Sequence, residues 1–399
     1  MIKRIVPLIL SFIFLAASIV YVADKDKSAP KKAEIIQTTV EKPTEEMRGV
    51  WVTYMTLDVE NEADKEGAFK DKIDTVLADM ESANLNTMIV QVRPFCDAIY
   101  RSKAFPWSHI LTGTQGEDPG YDPLEYIVTK AHELNIMVHA WVNPYRITTK
   151  ETPSELSNDH PYIKDNDIGV EVNGSLYLNP ASDKAIGLIA DGAKELAENY
   201  DIDGIQFDDY FYPPDCGDFD ADDYEAYREN TDDSLSLEEF RKDNVNRMIA
   251  QVYQSIRQTD KNVLFGISPQ GNLGNNKELY ADVEAWCAEE GYIDYICPQI
   301  YFSLDNPALT FEDGLSDWLK MSKHDHLSLY VGIPAYKAGT DADSGTWLDN
   351  DDILRTEIDI TRSAGTDGFM LYSYDSFHNE DNEEEVQNVI RYLTTSPTQ

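Results

Sequence analysis

Residues 203–210 read DGIQFDDY, a short apolar stretch that ends in two adjacent carboxylates. Side chains alternate between the two faces of a β-strand, so the pattern places Ile205 and Phe207 together on one face. Gln206 and Asp208 then share the opposite face. An apolar run of this length, followed by a loop and a helical pattern, is typical of one strand–helix unit in a parallel sheet. The stretch therefore predicts a buried strand with polar groups at its carboxyl end.

Seven further apolar runs have the same length and setting. The eight predicted strands cover residues 49–54, 87–93, 137–142, 204–208, 263–268, 295–300, 329–333 and 368–372. Amphipathic stretches with a helical period are predicted between or after them, at residues 69–83, 123–134, 184–198, 237–257, 281–290, 351–363 and 383–393. Eight alternating units predict an α/β fold closed into a (β/α)8 barrel rather than an open sheet.

Proline ends five of the predicted strands, at Pro94, Pro144, Pro269, Pro298 and Pro334. Because proline lacks an N–H, it stops a central hydrogen-bond ladder and fixes the path of the chain as it leaves the sheet. These stops all fall at carboxyl ends of strands, which lie on one rim of a barrel. Barrel enzymes carry their active sites on that rim.

Two segments after the second and third strands are long, at residues 102–122 and 145–180, and each contains Gly and Pro. Loops of this length on a barrel rim are usually functional. Residues 212–235 are strongly acidic, but they lack the residue order of an EF-hand and its required glycine. We expect a solvated acidic loop there rather than a calcium site.

The chemistry predicted for this rim centres on Asp208 and Asp209. Cleavage of a glycosidic bond needs a general acid for the leaving oxygen and a second carboxylate that attacks the sugar or activates water. Asp208 suits the second role because alternation directs it into the barrel mouth. The general acid remains open among four residues, Asp209, Asp97, Asp305 and Asp375.

Polar and aromatic residues near the same rim are the groups that hydroxyl-rich or N-acetylated sugars require. The predicted substrate-binding residues are Arg93, His139, Trp141, Asn143, Tyr145, Arg146, Gln206, Tyr210, Gln299 and Tyr301. Trp141 and Tyr145 are expected to line the groove itself, since the third strand delivers both to the rim.

The chain has 33 Lys and Arg against 73 Asp and Glu, a formal net charge of −40. Such a surface excludes nucleic acid as a natural partner. No HExxH metal motif, GxGxxG loop, P-loop or GxSxG elbow is present, so no metal ion or cofactor is expected. The four cysteines lack CxxC spacing and indicate neither zinc nor redox chemistry. They allow a disulfide but do not indicate one, and free buried thiols are expected for Cys96 and Cys297.

The N-terminus carries an export signal. Lys3 and Arg4 precede an apolar run over residues 5–23, a pattern of a cleaved signal peptide or of a membrane anchor. The basic residues favour a cytoplasmic N-terminus and an extracytoplasmic domain, either anchored or secreted and associated with the cell wall. Residues 24–45 are predicted to form a flexible linker, and residues 46–395 to form the barrel.

Several longer strings resemble the glycosyl hydrolase-like family ten domain of bacterial envelope proteins. They are MRGVWVTYM (47–55), the segment 104–147, SLYLNP (175–180), YDIDGIQFDDYFYP (200–213), FGISPQGNLGN (265–275) and YICPQIYFSL (295–304). The resemblance implies a (β/α)8 barrel that acts on glycan, with peptidoglycan strands as the expected substrate. The string DGIQFDD is also similar to the fourth-strand motif of the α-amylase superfamily, whose nucleophile would fall on Asp208.

Two other functions are alternatives to a glycosidase. A barrel that binds envelope glycan without cutting it would share the aromatic rim but would not need two carboxylates facing one sugar. A sugar deacetylase would need a metal cluster, which the sequence does not indicate. The amylase-like fifth-strand acid has no counterpart, because SPQGN (268–272) contains no carboxylate. The sequence therefore leaves open whether the glycosidase retains or inverts configuration.

Overall fold

The structure is a computed structural model that describes residues 42–150, 152–213 and 215–395. The predicted export segment and most of the predicted linker lie outside the described residues. Among the helices that are described, none has the length and apolar character needed to cross a bilayer.

The described residues contain ten β-strands, and eight of them close into a parallel barrel. The strands are β1 (Met47–Val52), β2 (Thr87–Arg93), β3 (Met137–Val142), β4 (Gly169–Val172), β5 (Ser175–Leu178), β6 (Gly204–Phe207), β7 (Leu264–Ile267), β8 (Tyr295–Ile296), β9 (Ser328–Ile333) and β10 (Gly368–Leu371). Around the barrel the order is β1-β2-β3-β6-β7-β8-β9-β10, and β10 pairs with β1 to close it. This confirms the predicted (β/α)8 fold.

Twelve α-helices connect or cover these strands within the described residues. They are α1 (Tyr54–Leu57), α2 (Lys65–Ser82), α3 (Pro123–Glu133), α4 (Pro161–Lys164), α5 (Asp183–Asn199), α6 (Ala221–Glu229), α7 (Leu237–Thr259), α8 (Leu273–Glu278), α9 (Val283–Ala288), α10 (Phe311–Lys320), α11 (Ile353–Ser363) and α12 (Glu383–Thr395). Their starts follow ordinary capping chemistry. The Ser236 side chain accepts a hydrogen bond from the Glu239 backbone and the Glu239 carboxylate accepts one in return, which fixes the start of α7.

The predicted and observed elements differ in two instructive places. The helix α10 was not predicted, although it covers the barrel after β8 with Phe311, Leu315 and Trp318 buried. The strand β8 is only two residues long, against the six predicted. Pro298 interrupts it as proline chemistry requires, and Gln299 pairs only through isolated bridges with Gln270 and Gly332.

The long segment after β3 has structure of its own. It contains α4, a 3-10 turn at Asn166–Ile168 and the antiparallel hairpin β4–β5. Backbone hydrogen bonds from Ile147 and Thr148 to Leu176 dock the hairpin onto the exit of β3. The segment is therefore an ordered wall of the rim.

Side-chain alternation separates two apolar regions. Ile205 and Phe207 of β6 pack in the larger core between the barrel and its helices. The barrel interior is filled by a second cluster, made of Met47, Trp51, Ile89, Trp141, Tyr295, Cys297, Tyr330 and Met370. Two glycines make room for rings in this interior: a Cβ at Gly204 would lie 2.6 Å from the His139 ring, and a Cβ at Gly266 would clash with the ring of Tyr295.

All four cysteines are unpaired thiols. Cys96, Cys287 and Cys297 are buried, and burial raises the pKa of the Cys96 and Cys287 thiols to about 12. Such thiols remain protonated at neutral pH and behave as small apolar groups.

Candidate active site

The two adjacent aspartates lie immediately after β6, in the mouth formed by the carboxyl ends of the barrel strands. Asp208 is 5% exposed and Asp209 is 6% exposed. Buried carboxylates are uncommon unless they are paired or have a task. The groups around each aspartate show how they are kept there.

Asp208 is held from the neighbouring strand β3. The Trp141 indole N–H donates to Asp208 Oδ2 at 2.9 Å, and the Asn143 amide donates to the same oxygen at 3.1 Å. The other carboxylate oxygen, Oδ1, is buried without a hydrogen-bond partner. Asp208 is therefore oriented by neutral donors and keeps one oxygen available for a further hydrogen bond.

Asp209 is held from the opposite side, by the two strands that follow β6. The Gln299 amide donates to Asp209 Oδ1 at 3.2 Å, and the Gln270 amide donates to Oδ2. Gln299 also donates to the Ser268 carbonyl at 3.0 Å, which fixes its own position. Consecutive residues thus take their partners from opposite neighbours of β6, and both remain in the mouth.

Burial makes both carboxyl groups weaker acids. Burial is the main cause that raises the pKa of Asp208 to about 7, and the neighbouring Asp209 charge adds to the increase. Arg146, Trp141 and Asn143 act in the opposite direction. The pKa of Asp209 is also raised by burial, against hydrogen bonds from Gln270 and Gln299. Two such groups side by side favour a pair that retains a proton near neutral pH.

Arg146 lies at the edge of this pair. Its guanidinium group is 5.1 Å from the centre of the Phe95 ring and 5.3 Å from that of Tyr210, and its Nε donates to the Pro94 carbonyl at 3.0 Å. Tyr210 is 46% exposed, so its ring presents a free face at the rim. Both residues are where the sequence placed them, beside the carboxylates.

An aromatic wall stands across the mouth from β6. The rings of Tyr301 and Tyr372 stack at 5.7 Å, and exposed Tyr336 meets both edge-on at 6.0 and 5.8 Å. Tyr372 also contacts Trp51 at 5.8 Å and Trp141 at 6.4 Å. The wall therefore continues down to the indole that holds Asp208. Flat apolar faces with polar edges suit a sugar ring.

Arg93 is not in the mouth, contrary to the sequence prediction. Arg93 was predicted as a polar residue near the rim, but pairing between β2 and β3 shifts register between Gln91 and Arg93, and such a bulge redirects side chains. The Arg93 side chain points outward and stacks on Phe105 at 4.4 Å, close to Gly192 of α5. Because it is 1% exposed there, we remove it from the predicted binding residues.

Three other predicted binding residues are also away from the sugar-facing surface. Tyr145 is fully buried in the outer core, so it does not line the groove. His139 and Gln206 face the barrel interior as alternation requires, but they lie below the mouth and bond to the Tyr295 hydroxyl at 2.9 and 3.3 Å. Burial lowers the pKa of His139 to about 4, so it is neutral at physiological pH.

The remaining candidates for the general acid differ in their surroundings. Asp97 is fully buried and accepts from Gln115 at 3.2 Å, with His109 3.6 Å away. Asp305 is exposed on the loop after β8. Asp375, after β10, accepts from Thr56 at 2.8 Å, Ser373 at 3.1 Å and Thr53 at 3.3 Å. Asp209 is the one that adjoins Asp208 in the chain.

Three further residues belong to the site but were not predicted as binding residues, namely Gln270, Tyr336 and Tyr372. Gln270 and Tyr336 do follow strand-ending prolines, a signal available in the sequence. Tyr372 was predicted only as the end of the last strand, and its place beside Trp141 depends on barrel closure. In the described part of the chain, no group of three or more His, Cys, Asp or Glu side chains is arranged to hold a metal ion.

A family model for glycosyl hydrolase-like 10 matches residues 46–349. The chain belongs to this family. The glycosyl hydrolase-like 10 assignment confirms the resemblance seen in the sequence, and the enzyme class it indicates is a glycosidase.

Two relatives carry related names. Glycosyl hydrolase YngK of Bacillus subtilis (strain 168) is 36% identical over 339 residues, which cover 79% of this chain and 66% of YngK. This chain thus spans just under two thirds of that relative. Glycosyl hydrolase DigH of Escherichia coli (strain K12) is 29% identical over 393 residues, covering 89% of this chain and 88% of DigH.

Solved structures share the fold at low identity. The PgaB (BpsB) glycoside hydrolase domain from Bordetella bronchiseptica superposes with a TM-score of 0.51 at 13% identity, over 87% of this chain and 99% of that one. Alpha-L-fucosidase isoenzyme 2 from Paenibacillus thiaminolyticus gives a TM-score of 0.52 at 12% identity, over 86% and 49%. These likenesses support the barrel and carry no information about the sugar.

Proposed function

We propose that this chain is an extracytoplasmic glycosidase that hydrolyses glycosidic bonds in a cell-envelope polysaccharide, with peptidoglycan glycan strands as substrate. The observation that carries the proposal is the pair Asp208 and Asp209, buried side by side in the barrel mouth and held only by neutral donors among their hydrogen-bond partners. Glycosidic cleavage requires carboxyl groups with separate protonation roles.

The mouth also supplies binding groups of the right kind. Tyr301, Tyr336 and Tyr372 offer ring faces, while Arg146 and Asn143 offer hydrogen-bond donors next to the carboxylates. Hydroxyl-rich rings are held by such a combination of flat apolar faces and a few placed polar groups. The predicted export segment supports an extracytoplasmic location, in which the glycan of the envelope is the available polymer.

A glycan-binding barrel without turnover is the alternative. It would be favoured if Asp208 were neutralised by a buried salt bridge, since the charge would then serve packing. The groups that bond to Asp208 are instead an indole and an amide, and its second oxygen lacks a partner. An unneutralised buried carboxyl group destabilises the fold, which is a cost that catalysis can justify.

Turnover of purified peptidoglycan tests the proposal. The full chain would be incubated with glycan strands with and without their stem peptides, and new reducing ends would be counted and the products identified by mass spectrometry. We expect soluble fragments with new reducing ends from wild type and none from Asp208→Asn. Binding to the glycan without any new reducing ends would support the alternative.

A further inference from the structure

We propose that the bond cleaved by this enzyme follows a 2-acetamido sugar and that the acetamido oxygen of the substrate, rather than an enzyme carboxylate, is the nucleophile. In this arrangement Asp208 accepts the acetamido N–H and Asp209 protonates the leaving oxygen. The inference rests on the proposed function, which it deepens by naming the nucleophile and the role of each aspartate.

The relative positions of the two carboxylates are the first observation that supports this mechanism. When an enzyme carboxylate attacks or activates water, the two carboxyl groups flank the sugar, about 5–5.5 Å apart in retaining enzymes and about 6.5–9.5 Å apart in inverting ones. Here they occupy consecutive positions at one strand exit, on one wall of the mouth. The exits of β7, β8 and β9, at residues 268–272, 297–302 and 334–337, contain no Asp or Glu.

The opposite wall is aromatic where a second carboxylate would be needed. Strand β10 lies four places from β6 in either direction around the eight-stranded barrel. Its exit presents Tyr372, stacked on Tyr301. Asp375 follows three residues later, but it is exposed and already accepts three hydroxyl hydrogen bonds. A sugar between the walls would thus meet two acids on one side and tyrosine rings on the other.

The surroundings of Asp208 fit an acetamido group. This group has a methyl, an N–H donor and a carbonyl oxygen within a few ångströms of each other. Trp141 packs edge-on to Tyr372 and donates to one oxygen of Asp208, while the other, Oδ1, is buried without a partner. The apolar wall can therefore enclose the methyl while Oδ1 accepts the N–H. A single acetamido group would thus place its methyl against the apolar wall and give Asp208 Oδ1 the hydrogen-bond donor that it lacks.

Asp209 is placed for the proton. It lies on the side of β7 and β8 and precedes exposed Tyr210 in the sequence. In the proposed arrangement the departing part of the glycan leaves the mouth on this side. Burial raises the pKa of both carboxyl groups, and the proton that the pair holds near neutral pH lies on Asp209 in the reactive form that this mechanism requires. The side-chain amides of Gln270 and Gln299 restrict the orientation of the Asp209 carboxyl group.

The reaction balances in two steps. In the first, the acetamido carbonyl oxygen bonds to the anomeric carbon, the glycosidic C–O bond breaks, and the leaving oxygen takes the proton of Asp209. Asp208 stabilises the positive charge on the resulting oxazolinium ring through the N–H. In the second, water attacks the anomeric carbon, the ring C–O bond breaks, and a proton of the water returns to Asp209. Because the acetamido oxygen must attack from the face opposite the leaving group, the bond is 1,2-trans and the configuration is retained.

The test uses two polymers and one inhibitor with the full chain. The polymers are β-linked poly-N-acetylglucosamine glycan in its acetylated form and after chemical N-deacetylation. The inhibitor is the thiazoline derivative of N,N′-diacetylchitobiose, which mimics the oxazolinium ring. We expect cleavage of the acetylated polymer with retention by NMR, loss of at least about a hundredfold in rate after deacetylation, and thiazoline binding at least about a hundredfold tighter than the parent disaccharide.

The aspartate variants distinguish the two roles. With a 2,4-dinitrophenyl glycoside of the acetylated disaccharide, whose leaving group needs no proton, Asp209→Asn should retain most of its turnover. Asp208→Asn should lose it, because the oxazolinium ring is no longer stabilised. Asp209→Glu provides a matched control in which a carboxyl group is kept, and it should recover part of the activity on polymer that Asp209→Asn loses.

The outcomes separate this inference from the proposed function. Equal cleavage of the acetylated and deacetylated polymers, or inversion of configuration, would overturn the acetamido mechanism and leave a glycosidase. The acetamido mechanism would also be overturned if the thiazoline did not bind and Asp375→Asn lost as much activity as Asp208→Asn. The nucleophile would then be an enzyme carboxylate across the mouth. Absence of cleavage of either polymer and of peptidoglycan would overturn both proposals.

Discussion

Gln206 and Asp208 are two residues apart on the same face of β6, yet they occupy two different polar layers of the barrel. In the lower layer, Gln206 accepts from the Trp51 indole at 2.6 Å and donates to the Tyr295 hydroxyl at 3.3 Å. The His139 ring meets the same hydroxyl. All of these groups are neutral, and each of them is tied to another, so the layer fixes the packing of the interior.

In the upper layer the partners are again neutral, but the group that they hold is an acid. Asp208 and Asp209 receive indole and amide hydrogen bonds while their pKa values are raised by burial. A neutral hydrogen-bonded network stabilises a core, whereas buried acids with an open oxygen reduce stability and favour proton transfer. The comparison indicates that burial alone does not identify function, and that an incompletely satisfied acid identifies it here because the acid also lies in the barrel mouth.

The largest expected effect is on turnover and should be confined to the upper layer. Asp208→Asn keeps the shape of the side chain and removes its charge, so stabilisation of the reacting centre is lost. We expect turnover on peptidoglycan glycan to fall by at least about a hundredfold, with glycan binding preserved. Steady-state release of reducing ends measures the effect, and Asp191→Asn, on the exposed face of α5, is the matched control. Wild-type turnover in Asp208→Asn would refute the assignment.

The second effect should fall on stability and be specific to the lower layer. Gln206→Leu leaves the Trp51 indole N–H without its acceptor, and an unsatisfied buried group costs about 1–3 kcal/mol. It also removes one of the two hydrogen bonds at the Tyr295 hydroxyl, which costs about 1 kcal/mol more. We expect the free energy of unfolding to decrease by about 2–4 kcal/mol. Chemical denaturation followed by tryptophan fluorescence measures it. A Gln206→Leu variant as stable as wild type would show that the lower layer contributes little to the fold.

The same contrast shows what the sequence could predict. The spacing of apolar residues and the placement of prolines are local properties of the sequence, so all eight barrel strands and the inward face of β6 could be predicted. Arg93 was misplaced because a bulge is a property of pairing between β2 and β3, which the sequence of β2 alone does not reveal. Gln270 and Tyr372 approach the carboxylates only because distant strands meet when the barrel closes. The helix α10 was missed although Phe311, Leu315 and Trp318 recur at helical spacing, so the sequence did contain a signal for it.

The third effect is a gain in stability. The pKa of the Asp208 carboxyl group is about 7 in the folded protein, against an ordinary value of 3.8. Between these two pH values the folded protein binds a proton that the unfolded chain has released. Stability from this group therefore falls as pH rises from about 4 to 7. The Asp208→Asn variant does not lose stability in this way. We therefore expect its free energy of unfolding to exceed that of wild type by at least about 1 kcal/mol at pH 7.5. Near pH 3.5 the difference should vanish. Parallel denaturation curves at both pH values measure it, and equal stabilities at pH 7.5 would contradict the raised pKa.

The smallest effect concerns Trp141, which belongs to both layers: its ring packs in the interior cluster and its indole N–H holds Asp208. Trp141→Phe keeps a ring and removes the N–H donor. That hydrogen bond lowers the pKa of Asp208, so its loss should raise the pKa further and move the pH dependence of turnover towards higher pH by up to about one unit. Since the apparent pKa belongs to the carboxyl pair, the whole profile should move without a change in shape. The pH dependence of kcat/KM measures the shift. Asn143→Ala removes the other donor to the same oxygen and should shift the profile in the same direction. A shift to lower pH in both variants would show that these donors do not stabilise the charged form of Asp208.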